Sequence, residues 1–163
     1  MTGKIVVLGV AARWDTRKGL KTFIKLATEL SDDFRIVMVG VTRDIKKILP
    51  PKVVTYEKTD SQEELRRLYG AADVFLNPTL QDNYPTVNLE ASACGTRVIT
   101  YNTGGSPENA NTPSCVVEQG DFETLKKLIT EKTFENALRI ENIEFLGKEH
   151  MSHSYRRVYS SYV

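Results

Sequence analysis

Cysteine is nearly absent from the 163 residues, with only Cys94 and Cys115, and these stand apart without metal-ligand spacing. They read as reduced core thiols, one on a helix and one on a strand, which sets aside a disulfide framework. Histidine occurs twice, His150 and His153 near the C-terminus; a lone i,i+3 pair is better explained as surface than as a zinc site. Neither sign of charge dominates: 22 Lys and Arg against 21 Asp and Glu leave a net charge of +1. No basic footprint therefore points to nucleic acid. No apolar run reaches the roughly 18 residues of a membrane-spanning helix and no signal peptide is legible, so the reading is a soluble, cytosolic type of chain. Internal repeats and low-complexity linkers are missing too.

What is present is a regular alternation of short apolar runs and helical patterns. Runs at residues 4–10 (KIVVLGV), 34–39 (FRIVMV), 53–56, 73–76 (DVFL), 97–101 (RVITY) and 115–117 have strand length. Between them, Leu20, Phe23, Ile24, Ala27 and Leu30 recur at helical spacing and predict a helix over 18–30. A short helix is expected at 42–49, ended by Pro50 and Pro51. Ser61-x-x-Glu64 is a capping box opening another helix, with Leu65, Leu68, Tyr69 and Ala72 on one face. Asp121 caps a helix to about residue 130, and residues 133–148 read as helical. Strand and helix in turn imply an α/β fold with a doubly wound parallel sheet. A chain of this length is one domain, burying roughly 70% of its unfolded surface. Two nucleotide-binding classes with this architecture are disfavoured: no Gly-x-Gly-x-x-Gly follows the first strand, and no Gly-x4-Gly-Lys-Ser/Thr occurs.

The stretch 72–108, ADVFLNPTLQDNYPTVNLEASACGTRVITYNTGGSPE, organises the rest. It reads as strand, loop, helix, strand. Pro85 suits the first helical position, Asp82 or Asn83 the N-cap, and Gly95 the left-handed stop. Helical side chains lean toward the N-terminus, so Glu90 is expected to reach back toward the loop that carries Asp82. The free amides of Tyr84, Thr86 and Val87 would form an anion site close by. Two carboxylates beside an anion site suit a ligand with both phosphate and vicinal hydroxyls. Spacing alone leaves an ordinary alternative, in which Asp82 merely caps the helix and Glu90 is a solvated charge.

The run DNYPTVNLEASACGTRVITYNTGGSPE resembles the donor-binding region of the retaining glycosyltransferases of family four (glycosyl transferases group 1), which have the GT-B fold. That family carries a Glu-x7-Glu pair before an alanine-rich helix, then a small-Gly-Thr-Pro-Val strand and Gly-Gly-x-Pro-Glu. Here Asp82 stands for the first Glu, Asn83-Tyr84-Pro85 for the usual Gly-Phe-Gly, and Arg97 for the usual Pro. The loop after the first strand is similar to the family's Gly-Arg…Lys-Gly segment, with Ala12, Arg13, Lys18 and Gly19 in those places. Without the resemblance, Arg13, Arg17 and Lys18 would read as solvated loop charges, and Arg17 is left as surface.

The resemblance implies that residues 1–163 form one nucleotide-sugar-binding domain, the second half of a GT-B enzyme whose acceptor domain is not in this chain. Arg13 and Lys18 would grip the diphosphate, where fixed cations stabilise the charge gained by the leaving group. Asp82 would hold a sugar hydroxyl and Glu90 the ribose diol. The 83–86 loop (Asn83, Tyr84, Pro85, Thr86) would hold the sugar and β-phosphate, and the turn at Lys58 and Thr59 the base. No metal or other cofactor is expected. The partners implied are a nucleotide sugar and an acceptor domain or subunit, with no nucleic acid. Cytoplasmic location, peripheral membrane association of the full enzyme and bacterial surface polysaccharide synthesis come with the family. A second reading is a non-catalytic module that pairs with a separate acceptor subunit. In that case the terminal segment YRRVYSSY would leave Tyr155, Val158, Tyr159 and Tyr162 as an exposed apolar patch.

Overall fold

A computed structural model describes residues 3–110 and 115–136. Six strands form one sheet in the order β3-β2-β1-β4-β5-β6. They are β1 (Ile5–Val10), β2 (Phe34–Val39), β3 (Val54–Tyr56), β4 (Val74–Asn77), β5 (Arg97–Tyr101) and β6 (Val116–Val117). Every neighbouring pair is parallel, with Ile5 opposite Phe34 and Val7 opposite Val74 fixing the central registers. The expected doubly wound α/β architecture is therefore the observed one. Five helices connect it: α1 (Leu20–Glu29), α2 (Arg43–Ile48), α3 (Gln62–Ala71), α4 (Thr86–Ala93) and α5 (Phe122–Thr130).

Strand pleating divides the apolar residues between two cores. On β4, Val74 and Leu76 pack with Phe23 and Leu26 of α1 and Leu125 and Ile129 of α5. Phe75 between them points the other way, into a cluster with Tyr69 of α3 and Ala91 of α4. The chain runs outward from β1 to β3, then returns past β1 to start β4, so β1 and β4 flank the point where the strand order reverses. Loops leaving the carboxyl ends of these two strands diverge there and open a crevice.

Several helix ends differ from expectation. The first helix starts at Leu20, because Gly19 at φ 79 occupies the left-handed region and lies against the Pro78 carbonyl, where a Cβ would collide. Residues 11–19 instead form a loop stitched by an Asp15 carboxylate that accepts from the Lys18 amide at 2.8 Å. Pro85 is the N-cap of α4 rather than its first residue, and no side chain caps this helix, so neither Asp82 nor Asn83 does. After β5, Gly105 is the N-cap of a 3-10 turn at Ser106–Asn109. The predicted capping of α3 by Ser61 and of α5 by Asp121 is observed. Beyond a 3-10 turn at Thr133–Asn136, the expected helix to 148, the pair His150 and His153, and the YRRVYSSY segment lie outside the described residues. No helix among the described residues is long and apolar enough to cross a membrane.

Candidate active site

The crevice between β1 and β4 holds a cavity of about 260 Å³ lined by Arg13, Arg17 and Lys18 from the 11–19 loop, Asn77 from β4 and Val87 from α4. The two loops are bound to each other. The Arg17 carbonyl accepts from the Leu80 amide at 2.7 Å and from the Thr79 hydroxyl at 3.2 Å. Arg17, read from sequence as plain surface, thus lines the cavity, and its guanidinium donates to the Gln81 carbonyl at 3.4 Å. Arg13 is exposed and has no partner among the described residues, so its donors are free for an anion.

Lys18 and Asp82 are brought together from 64 residues apart: Nζ and Oδ2 lie 2.6 Å apart. Both side chains are largely sheltered, at 25% and 17% exposed. A charge-assisted bond of that length fixes the ammonium over the cavity and holds the carboxylate beside it. The Asp82 backbone is seated from below by the Gly-Gly turn. Gly104, at φ 49, touches the Asp82 carbonyl so closely that a Cβ would overlap it, and the Gly105 amide donates to the Asn83 carbonyl at 2.9 Å.

Asn83 and Thr86 are exposed, and Tyr84 is 47% exposed. Pro85 is buried, its carbonyl accepting from the Asn88 amide at 3.1 Å. The amides of Thr86 and Val87 find no acceptor among the described residues, which leaves the N-terminus of α4 open to an anion.

Glu90 departs from the expected arrangement. It does not turn to the loop of Asp82 but to α3, where the buried Tyr69 hydroxyl donates to Oε2 at 3.0 Å. The two carboxylates serve separate concavities, because Glu90 borders a groove of about 370 Å³ between α3 and α4, with Leu65, Arg66 and Cys94. Burial, reinforced by the Glu90 charge, pushes the Tyr69 phenol well above its usual value, so it remains a donor. Burial likewise raises the Cys94 thiol. Lys58 and Thr59 follow β3 at the carboxyl edge of the sheet and contribute nothing to the β1–β4 cavity. No group of three or more His, Cys, Asp or Glu side chains is clustered for a metal among the described residues.

The family model of the glycosyl transferases group 1 matches residues 4–133. The chain belongs to this family. Among its curated relatives, an alpha-galactosylglucosyldiacylglycerol synthase of Streptococcus pneumoniae is 34% identical over 101 residues, covering 56% of this chain and 27% of that protein. A D-inositol 3-phosphate glycosyltransferase of Mycobacterium sp. is 41% identical over 54 residues, 33% of this chain and 12% of the relative. Two solved structures share the fold. HepE of Anabaena, solved with UDP and glucose, superposes with a TM-score of 0.75 at 18% identity over 98% of this chain and 49% of its own. Sucrose-phosphate synthase of Thermosynechococcus elongatus gives 0.73 at 21%, over 99% and 47%. At these identities the structural likeness speaks for the fold alone. The chain spans about half the length of those structures.

Four residues of this candidate site were missed in the sequence: Arg17, Tyr69, Asn77 and Asn88. Asn77 Nδ2 donates to Asn88 Oδ1 at 2.8 Å inside the protein. Tyr69 reads locally as one more apolar position of α3, and the asparagines as turn or helix-surface residues. Only their partners, 11 and 21 residues away, give them a place in the site.

Proposed function

We propose that this chain is the donor-binding domain of a retaining glycosyltransferase, the second half of a GT-B enzyme, and that it binds a nucleoside diphosphate sugar in the crevice between β1 and β4. The observation that carries the reading is one cavity lined by Arg13, by Lys18 with Asp82 paired to it, and by Val87 of α4, whose amide is open. A diphosphate needs several fixed positive groups at once, and a helix N-terminus supplies part of that field.

Arg13 and Lys18 then take the diphosphate. As the bond from the sugar C1 to the β-phosphate oxygen breaks, its electron pair stays with the phosphate, and these cations stabilise the charge that accumulates. Asp82, held at the same place by Lys18, accepts from a sugar hydroxyl, with the 83–86 loop around the sugar and β-phosphate. Glu90, oriented by Tyr69, takes the ribose diol on the α3 side, and the turn at Lys58 and Thr59 takes the base. This reading assigns charge neutralisation to protein groups and calls for no resident cofactor. The acceptor would be a glycan or lipid-linked glycan bound by a further domain or subunit. A role in surface polysaccharide synthesis, in the cytoplasm or at the inner membrane face, accords with the family.

The test is a calorimetric titration with UDP, GDP, ADP and CDP, repeated with Lys18→Ala. Selective binding of one diphosphate, weakened at least tenfold in Lys18→Ala, is the expected result. No heat with any of them would sink the reading.

A further inference from the structure

Asn77 ends β4 at the floor of the cavity and is only 7% exposed. Its amide belongs to a buried chain of side chains whose polarity can be derived from one end. That end is the Pro85 carbonyl, which can only accept. The Asn109 atom 3.1 Å from it is therefore the Nδ2 donor. Asn109 then turns its oxygen toward Asn88, whose Nδ2 donates to it at 2.9 Å. Asn88 in turn offers its oxygen to Asn77 Nδ2, at 2.8 Å. Each amide is oriented by the next, so the usual ambiguity between amide oxygen and nitrogen is resolved by the carbonyl at the start of the relay.

The free end of the relay is Asn77 Oδ1. It accepts from no described residue. Nor is it among the buried side-chain atoms left without a partner, which are the Ser92 and Ser106 hydroxyls. The oxygen of a residue that lines the cavity is thus open to it. The other polar side chains that line the cavity itself, Arg13, Arg17, Lys18 and Trp14, can only donate; Asp82 lies beside it, paired with Lys18. Those donors suit phosphate oxygens. The diphosphate of a nucleotide sugar, esterified at both ends, has no proton to offer an amide oxygen at neutral pH, whereas a sugar hydroxyl does.

We propose that Asn77 Oδ1 accepts a hydrogen bond from a hydroxyl of the transferred sugar, which makes Asn77 a sugar-selecting residue. The inference rests on the donor-binding reading above. Asn88 and Asn109 are positioning residues: they touch no ligand and keep the acceptor face of Asn77 toward the cavity.

The full chain is titrated with UDP, GDP, ADP and CDP, with their glucose and galactose conjugates, and with singly deoxygenated forms of the sugar that binds. Asn77→Ala is expected to bind the free diphosphate as the wild type does and to lose roughly three- to tenfold in affinity for the nucleotide sugar. One deoxygenated sugar should lose the same factor with the wild type and nothing further with Asn77→Ala. Asn88→Ala leaves the cavity wall intact but lets the Asn77 amide turn over, and should show the same insensitivity to that deoxygenation. Equal losses for diphosphate and nucleotide sugar, losses that add for every deoxygenated sugar, or a wild type indifferent to all of them, overturn the role of Asn77 and leave the donor reading standing. A wild type that binds no diphosphate overturns both.

Discussion

Lys18 and Asp82 show how little a charge says on its own. Either would be an unremarked loop charge, yet at 2.6 Å and three-quarters or more sheltered they form an ion pair beside the cavity that Lys18 lines. Glu90 makes the complementary point, since its position depends on a phenol from another helix. Removing that phenol with Tyr69→Phe leaves a half-exposed carboxylate that water can still solvate, so stability should fall by no more than about 1 kcal/mol in denaturant unfolding. Affinity for a nucleoside diphosphate should fall a few-fold because Glu90 loses its orientation. Inorganic pyrophosphate, which has no ribose, should bind unchanged. A loss of pyrophosphate affinity as large as that of the nucleotide would remove Glu90 from the ribose.

At the scale of elements, the 78–85 loop is held by what lies beneath it rather than by a helix cap. Gly104 adopts a left-handed backbone in contact with the Asp82 carbonyl, and a side chain there meets both a strained φ and a steric overlap. Gly104→Ala should cost roughly 1–3 kcal/mol in urea unfolding. It should also weaken diphosphate binding, because the loop that carries Asp82 must shift. Wild-type stability in that variant would mean that the turn yields freely and does not seat the loop. The same scale shows where local pattern was sufficient. Ser61 and Asp121 cap their helices as their neighbours predict, because a cap is a contact within three residues. At the first helix the pattern failed: Lys18 and Gly19 continue the helical spacing, but Gly19 packs on Pro78, 59 positions downstream, and the helix begins after it.

For the molecule as a whole, the sheet order places the loops that follow β1 and β4 side by side at the reversal of strand order. The chain spans about half of the solved structures it resembles. In the proposed enzyme the acceptor is held by the other half, and catalysis needs both reactants fixed together. The chain by itself should therefore bind nucleotide sugar yet transfer none to a glycan or lipid acceptor, followed as release of free diphosphate. Addition of an acceptor-binding half should restore transfer. Turnover by this chain alone would overturn the two-domain reading.

The amino-acid sequence determined the strands, most helices, the parallel doubly wound class and the family, because these depend on periodicities and motifs contained within a few dozen residues. It also marked Arg13, Lys18, Asp82 and Glu90 by their place in such motifs. Tertiary structure alone decided which of them meet. It paired Lys18 with Asp82, sent Glu90 to Tyr69, brought Arg17 to the cavity, and joined Asn77, Asn88 and Asn109 into one relay. These contacts join residues between 11 and 64 positions apart. No local pattern encodes such a pairing; it follows from how the two cores stack the helices on the sheet.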